Sequence, residues 1–457
     1  MRGQKINLAN ILSDYYRLPG QLLGEVCASQ PSVDVGFFQF GSGTTCFGQC
    51  TLGVSARVES AKSHRLAESV SLKGRDLHFT FDPAQIVENL RRERYVNVLE
   101  ERHHRFVDQP LVRKAYYGFR NLLPVSIRKH LQRLYLADWR RLKFPNWPVD
   151  FTVDTIHEDI LRVAMEATGL KRVPFIWFWP EGAPNCLIMT HDVETTLGRD
   201  FTPRLMDIDH SHGIRASFQV VPEKRYEVTE EYVRAIKSRG FEFNIHDLNH
   251  DGHLYKERQL FHSRAKQINY YARKFDARGF RAGVMYRNLE WYDAFEFSYD
   301  MSVPNVAHLD PQRGGCCTVF PYFIDRILEI PLTTCQDYSL FQILGEYSID
   351  LWKKQLQMIA SRNGLMSFIA HPDYLTDGRS LAVYESLLAY LRQLVDRDGI
   401  WMALPGEVDE WWRARSEMKL EQFGTSWRIV GPQQERARIG YATSDGGRIR
   451  YEVPKDG

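Results

Sequence analysis

The chain has 457 residues, 59 basic against 57 acidic side chains, a formal charge of +2 and a hydrophobic fraction of 44%. This balance excludes a disordered or fibrous chain and gives no whole-molecule field to concentrate nucleic acid, so no nucleic-acid partner is expected. Residues 1–20 lack the apolar run of a secretory signal, and nothing reaches the ~18 uninterrupted apolar residues of a membrane span, so a cytoplasmic location is expected.

From Val33 to Thr80, short alternating runs separated by Gly and Ser predict a small β-rich module. Gly41, Gly43 and Gly48 suggest a phosphate cradle, but the Lys-Ser/Thr ending is missing and a hairpin turn fits better. Seven cysteines, an odd number, read as reduced thiols. Cys46 and Cys50 have no second pair to complete a zinc site and are expected as buried thiols.

Asp82-Pro83 is a helix start, with Ile86 and Leu90 at i, i+4 spacing. Between Leu111 and Lys143, nine basic residues from Arg113 to Lys143 face one acid, Asp138. Ile127, Leu131 and Leu134 recur there at helical spacing, so this face either docks on a neighbouring element or makes peripheral contact with an anionic membrane. The pair His103-His104 is expected to face solvent, and residues 144–150, with two prolines, read as a linker.

The pattern then changes to apolar runs alternating with amphipathic stretches. Candidate strands are residues 185–190, 215–221, 241–245, 279–283, 327–332, 365–370 and 400–404, and the clearest helices are 350–361, 382–394 and 405–420. Repeated β then α units imply a parallel sheet or barrel, with active groups at the strand C-terminal ends. The tail alternates around the turn Asp445-Gly446-Gly447 and predicts an antiparallel appendage, packed on the barrel or paired with the N-terminal module.

Ionisable residues gather just past these strands. The first barrel strand ends in His191-Asp192-Val193-Glu194, so extended geometry would send both carboxylates to one side. Another ends in His246, with His250 four residues on, a spacing that places both imidazoles on one face of a helical turn. Two imidazoles and a carboxylate leave positions open on a divalent metal, as catalysis requires. A Lewis-acid metal, a carboxylate base and an imidazole acid together supply what amide hydrolysis needs, with a backbone N–H near Val284 facing the developing oxyanion. His191, His210, His212, His253 and His262 lie in the same region and read as structural or solvent-facing side chains.

The order of these motifs resembles the polysaccharide deacetylases, the NodB-homology carbohydrate esterases of family 4, over about 240 residues. That family carries Thr-Phe-Asp-Asp, His-Ser/Thr-x-x-His, Arg-x-Pro-Tyr and a late strand ending in a catalytic histidine. The corresponding segments here are Thr190 to Glu194, His246 to His250, Phe280 to Gly283 and Phe368 to Pro372. The resemblance implies an α/β fold, a distorted (β/α) barrel of NodB type. It also implies Asp192 as general base, His371 as general acid, Arg281 orienting the base, and Glu194, His246 and His250 as ligands of a divalent metal, with Zn2+ the expected ion. Two departures stand out: Val193 occupies the place of the second aspartate, which passes the metal carboxylate to Glu194, and Gly283-Val284 replace the Pro-Tyr pair. Asp300 is the candidate for the acid that positions the catalytic histidine.

The expected organisation is a β-rich then helical accessory region over 1–150, the barrel over 171–422 and a β appendage over 423–457. The expected activity is removal of N-acetyl groups from amino sugars of a glycan or glycan precursor. Rival readings are a C–N hydrolase acting on a small amide, a silent glycan-binding barrel, and a two-His, one-carboxylate iron oxygenase.

Overall fold

The computed structural model describes residues 136–454 without a break and, before them, residues 5–6, 8–19, 22–23, 26–28, 33–41, 43–73 and 76–100. His103, His104 and the basic stretch from Arg113 to Arg133, with Ile127, Leu131 and Leu134, lie outside the described residues. The chain divides into two compact units. Met1–Leu99, Phe151–Ala183 and Glu410–Gly457 form the first, and Glu100–Asp150 with Pro184–Asp409 the second.

The second unit is built on a nine-stranded sheet. Its strands are β1 (Cys186–Val193), β2 (Ala216–Val220), β3 (Glu242–His246), β4 (Gly279–Arg281), β5 (Tyr299–Asp300), β6 (Tyr322–Ile324), β7 (Ile327–Glu329), β8 (Leu365–Ile369) and β9 (Trp401–Met402). Their order is β6-β7-β5-β4-β3-β2-β1-β8, with β9 also paired to β1. All neighbours are parallel except the β6–β7 hairpin. The hydrogen-bonded path has two ends, so the expected barrel is a curled half-barrel and not a closed ring.

Every strand expected in this sheet is present, because most of the runs are apolar enough to be buried on both faces; all eight residues of β1 are buried, while Trp401 and Met402 of β9 are partly exposed. Helices follow the strands and are capped locally. Thr195 accepts the Leu197 N–H at the start of Thr196–Ser211, and Thr229 accepts that of Tyr232 at the start of Glu230–Ser238. Asp377 caps Gly378–Asp398, which extends the expected 382–394 helix by about a turn at each end. The helix Asp350–Ala360 matches expectation, and Pro405–Glu417 ends three residues short of the expected 420 because the strand Lys419–Phe423 follows.

In the first unit, Asp82 Oδ1 accepts the Ala84 and Gln85 N–H groups at 2.9 and 3.2 Å, capping Pro83–Arg91 as its sequence implies. Val35–Phe40 and Thr44–Gln49 form the expected hairpin; Gly41 and Gly43 have φ of 62° and 107°, which only glycine adopts without strain. Cys46 and Cys50 are buried free thiols, and burial pushes the Cys46 thiol well up. The tail hairpin, Ile439–Asp445 with Arg448–Glu452, pairs antiparallel with Arg172–Ile176. Among the described residues no helix is long and apolar enough to cross a membrane.

Candidate active site

Parallel pairing places the C-terminal ends of β1, β3, β4 and β8 on one edge of the sheet, and the ionisable residues lie there. Asp192 is the penultimate residue of β1, with 3% of its surface exposed. Arg281 closes β4, fully buried, and donates from one guanidinium nitrogen to Asp192 Oδ1 at 2.7 Å and to Thr190 Oγ1 at 2.7 Å. Its Nε donates to the Met301 carbonyl at 3.0 Å. Burial alone would raise the Asp192 pKa; Arg281, with His246 and His371, outweighs it and holds the carboxyl below its ordinary value.

Glu194 lies just past β1, and its Oε1 is 3.0 Å from His250 Nε2, 4.0 Å from His246 Nε2 and 3.7 Å from His371 Nε2. One ligand atom from each of Glu194, His246 and His250 lies within 4.8 Å of the others. His246 Nδ1 is 3.1 Å from the Arg281 carbonyl, which can only accept, so Nδ1 carries the proton and Nε2 presents a lone pair. Nε2 of both His246 and His250 is buried and makes no well-aligned hydrogen bond; the group that His250 Nε2 approaches is the Glu194 carboxylate. Two orphaned imidazole nitrogens converging on a carboxylate fit a divalent cation, and three protein ligands leave positions for water and substrate. Burial opposes ionisation of Glu194, yet His250 and His246 hold its carboxyl well below the usual range.

The His-x-x-x-His spacing works differently from expectation. His246 ends β3 and His250 sits in the following loop, where Asp247 and His250 have φ of 57° and 53°. These left-handed residues, a conformation that Asp and His adopt more readily than most side chains, turn the chain back and bring the ring centroids to 4.8 Å without a helical turn. Gly283 completes the approach: a Cβ there would fall 2.6 Å from Asp247 Oδ2 and 3.0 Å from His250 Cδ2. A glycine in place of the Pro-Tyr proline therefore matches the tight loop that carries His250.

His371 follows β8, and its Nδ1 lies 2.6 Å from Asp337 Oδ1, while its backbone N–H donates to Asp337 Oδ2 at 2.8 Å. Burial would lower the His371 pKa, but the buried Asp337 carboxylate, aided by Glu194 and Asp192, raises it to about 10. Asp300, the sequence candidate for this role, is engaged elsewhere, accepting from Tyr292 Oη at 2.9 Å and Ser302 Oγ at 2.8 Å. Asp337 escaped sequence reading because it precedes a single π-helical segment, Ser339–Leu344, with no strand signal of its own.

Among the described residues, the other candidate histidines do not join the cluster. Both ring nitrogens of His191 face acceptors, the Ala370 carbonyl at 2.9 Å and Asp209 Oδ2 at 3.0 Å. His210, His212, His253 and His262 are outside the Glu194–His246–His250 group.

No family model matches the chain, and no curated protein matches it by sequence. Solved structures do. A Mycobacterium smegmatis protein described as a polysaccharide deacetylase is 17% identical, with a TM-score of 0.43, over 55% of this chain and 98% of its own. The chitin deacetylase of the fungus Colletotrichum lindemuthianum is 15% identical, with a TM-score of 0.30, over 50% of this chain and 87% of its own. A family 4 pseudoenzyme from Bacillus anthracis is 13% identical, with a TM-score of 0.28, over 49% of this chain and 65% of its own. Over about half its length, the chain is thus similar to solved structures of polysaccharide deacetylases and other family 4 carbohydrate esterases.

Proposed function

We propose that the second unit is a metal-dependent hydrolase that removes N-acetyl groups from amino sugars of a glycan or glycan precursor. The observation that carries this reading is the convergence of two orphaned imidazole nitrogens on Glu194, beside a buried Asp192–Arg281 pair and a buried His371–Asp337 pair. Glu194, His246 and His250 would hold the ion. When bound, a divalent cation such as Zn2+ supplies Lewis-acid polarisation of the amide carbonyl and a water of lowered pKa.

The protein's own groups handle the protons. Arg281 keeps Asp192 ionised at neutral pH, ready to take a proton from the attacking water as the carbon–oxygen bond forms. Asp337 keeps His371 protonated, so its Nε2 donates to the nitrogen as the carbon–nitrogen bond breaks. Acetate and a free amine leave; Asp192 then releases its proton and His371 regains one, so the cycle closes without an oxidant or reductant.

The direct test is acetate release from an N-acetylated amino-sugar oligosaccharide by the purified chain loaded with zinc or another divalent ion. Release from none of these would overturn the reading, and release from simple amides alone would favour the small-amide alternative. His250→Ala is expected to lower metal content and activity together, because an open site with three protein ligands cannot spare one. Metal measured after dialysis checks it; full occupancy in a folded variant would remove His250 from the ligand set.

Asp337→Asn should move the alkaline limb of kcat/KM to lower pH by roughly 1 unit or more. The imidazolium is the active form, so activity is lost as pH rises through its pKa, and removing the carboxylate leaves burial free to push that pKa down. A bound cation acts on both proteins, so the difference between their profiles isolates Asp337; coincident limbs would reject the pairing. A cytoplasmic location, and attraction of the 111–143 basic stretch to anionic membranes that carry lipid-linked glycan precursors, belong to the same proposal. Equal sedimentation with neutral and anionic vesicles at low salt would reject the membrane contact.

A further inference from the structure

The groups that would perform the hydrolysis leave one side of the site unexplained. Tyr374, three residues past His371 in the short helix Pro372–Leu375, is only half-buried, and its ring centroid lies 5.2 Å from that of His371 at 58°. Tyr338, next to Asp337 and also half-buried, packs its ring 5.5 Å from Tyr374 at 36°. Both tyrosines are therefore carried by the segments that bring Asp337 and His371 together. The same rim receives the first turn of the helix Thr196–Ser211: a Cβ on Gly198 would fall 2.3 Å from Asp373 Oδ2, and the adjoining Leu197 is 56% exposed. Two partly exposed rings and an exposed leucine border an otherwise charged centre.

Where a substrate would lie follows from proton transfer. His371 serves the departing nitrogen, so whatever that nitrogen is bonded to, other than the carbonyl carbon, must lie on the His371 side. For an acetylated amino sugar that group is the pyranose ring, which presents an apolar face of C–H bonds. We infer that Tyr374, backed by Tyr338, is the platform on which the pyranose ring bearing the scissile amide stacks, and that it sets the preference for ring-borne amides over open-chain ones. The inference rests on the deacetylase reading of the same site. Tyr374 is a specificity-determining residue in it, since a flat apolar face holds the sugar equally in ground and transition states.

Such uniform binding appears in KM and not in kcat. With an N,N′-diacetylated amino-sugar disaccharide and the metal-loaded full chain, Tyr374→Ala should raise KM roughly tenfold with kcat within about twofold, and Tyr374→Phe should keep KM near wild type. Wild type should lose efficiency on N-acetylethanolamine, which has no ring, and Tyr374→Ala should lose little more. A fall in kcat at unchanged KM, or equal damage from Phe and Ala, would overturn the platform, because the ring would then be supporting His371 or the hydroxyl would be the contact. Calorimetric binding of the same disaccharide separates this failure from failure of the deacetylase reading. Acetate release with KM equal in wild type and both variants rejects the platform alone. Binding weakened by Tyr374→Ala in a protein that releases no acetate rejects the deacetylase reading alone, and no binding by wild type overturns the platform.

Discussion

Asp192→Asn is expected to keep its metal while deacetylation falls by ~10² or more, the scale of general-base assistance. The amide preserves side-chain shape but cannot accept the proton of the attacking water. Arg281 would keep its bonds to Thr190 Oγ1 and the Met301 carbonyl while its bond to the Asp192 carboxylate becomes one to a neutral amide oxygen, so a lower melting temperature should accompany the kinetic loss. Metal analysis and kcat on the same preparation check this. Loss of metal from the folded variant would make Asp192 a ligand, which its 3.8 Å separation from His246 Nε2 makes a meaningful alternative.

His371→Ala is expected to lose a similar factor on an N-acetyl sugar, where the leaving amine must be protonated, and to lose little on an acetate ester whose leaving group departs as a stable anion. Asp192→Asn should lose on both, because both reactions need the deprotonated water. The contrast between the two variants is the readout. Equal losses by His371→Ala on the two substrates would reject the acid assignment and recast the Asp337–His371 pair as structural.

Seven of the nine strands of the half-barrel sheet could be read from sequence because each lies in a short apolar run; Tyr299–Asp300, only two residues long, shows no such run and was not read. The same rule found β1, β3, β4 and β8, and with the first two Asp192, Glu194 and His246, while the resemblance to the deacetylase motifs singled out Arg281 and His371. It missed Arg172–Ile176, where Pro174 interrupts the run; the strand exists because Ile439–Asp445 pairs with it from more than 260 residues away in sequence. It also missed Tyr322–Ile324 and Val26–Ala28, three-residue strands too short to show a period.

Residue types and their positions at strand ends were thus determined locally, by runs and caps that each segment carries within itself. Tertiary structure decided which of these ends face one another. It chose Asp337 over Asp300 as the partner of His371, folded His250 back through left-handed residues, and set Gly283 against that loop. It also gathered three separated stretches, Met1–Leu99, Phe151–Ala183 and Glu410–Gly457, into one unit. These choices depend on register and close packing between residues tens to hundreds of positions apart, and local periodicity carries no information about either.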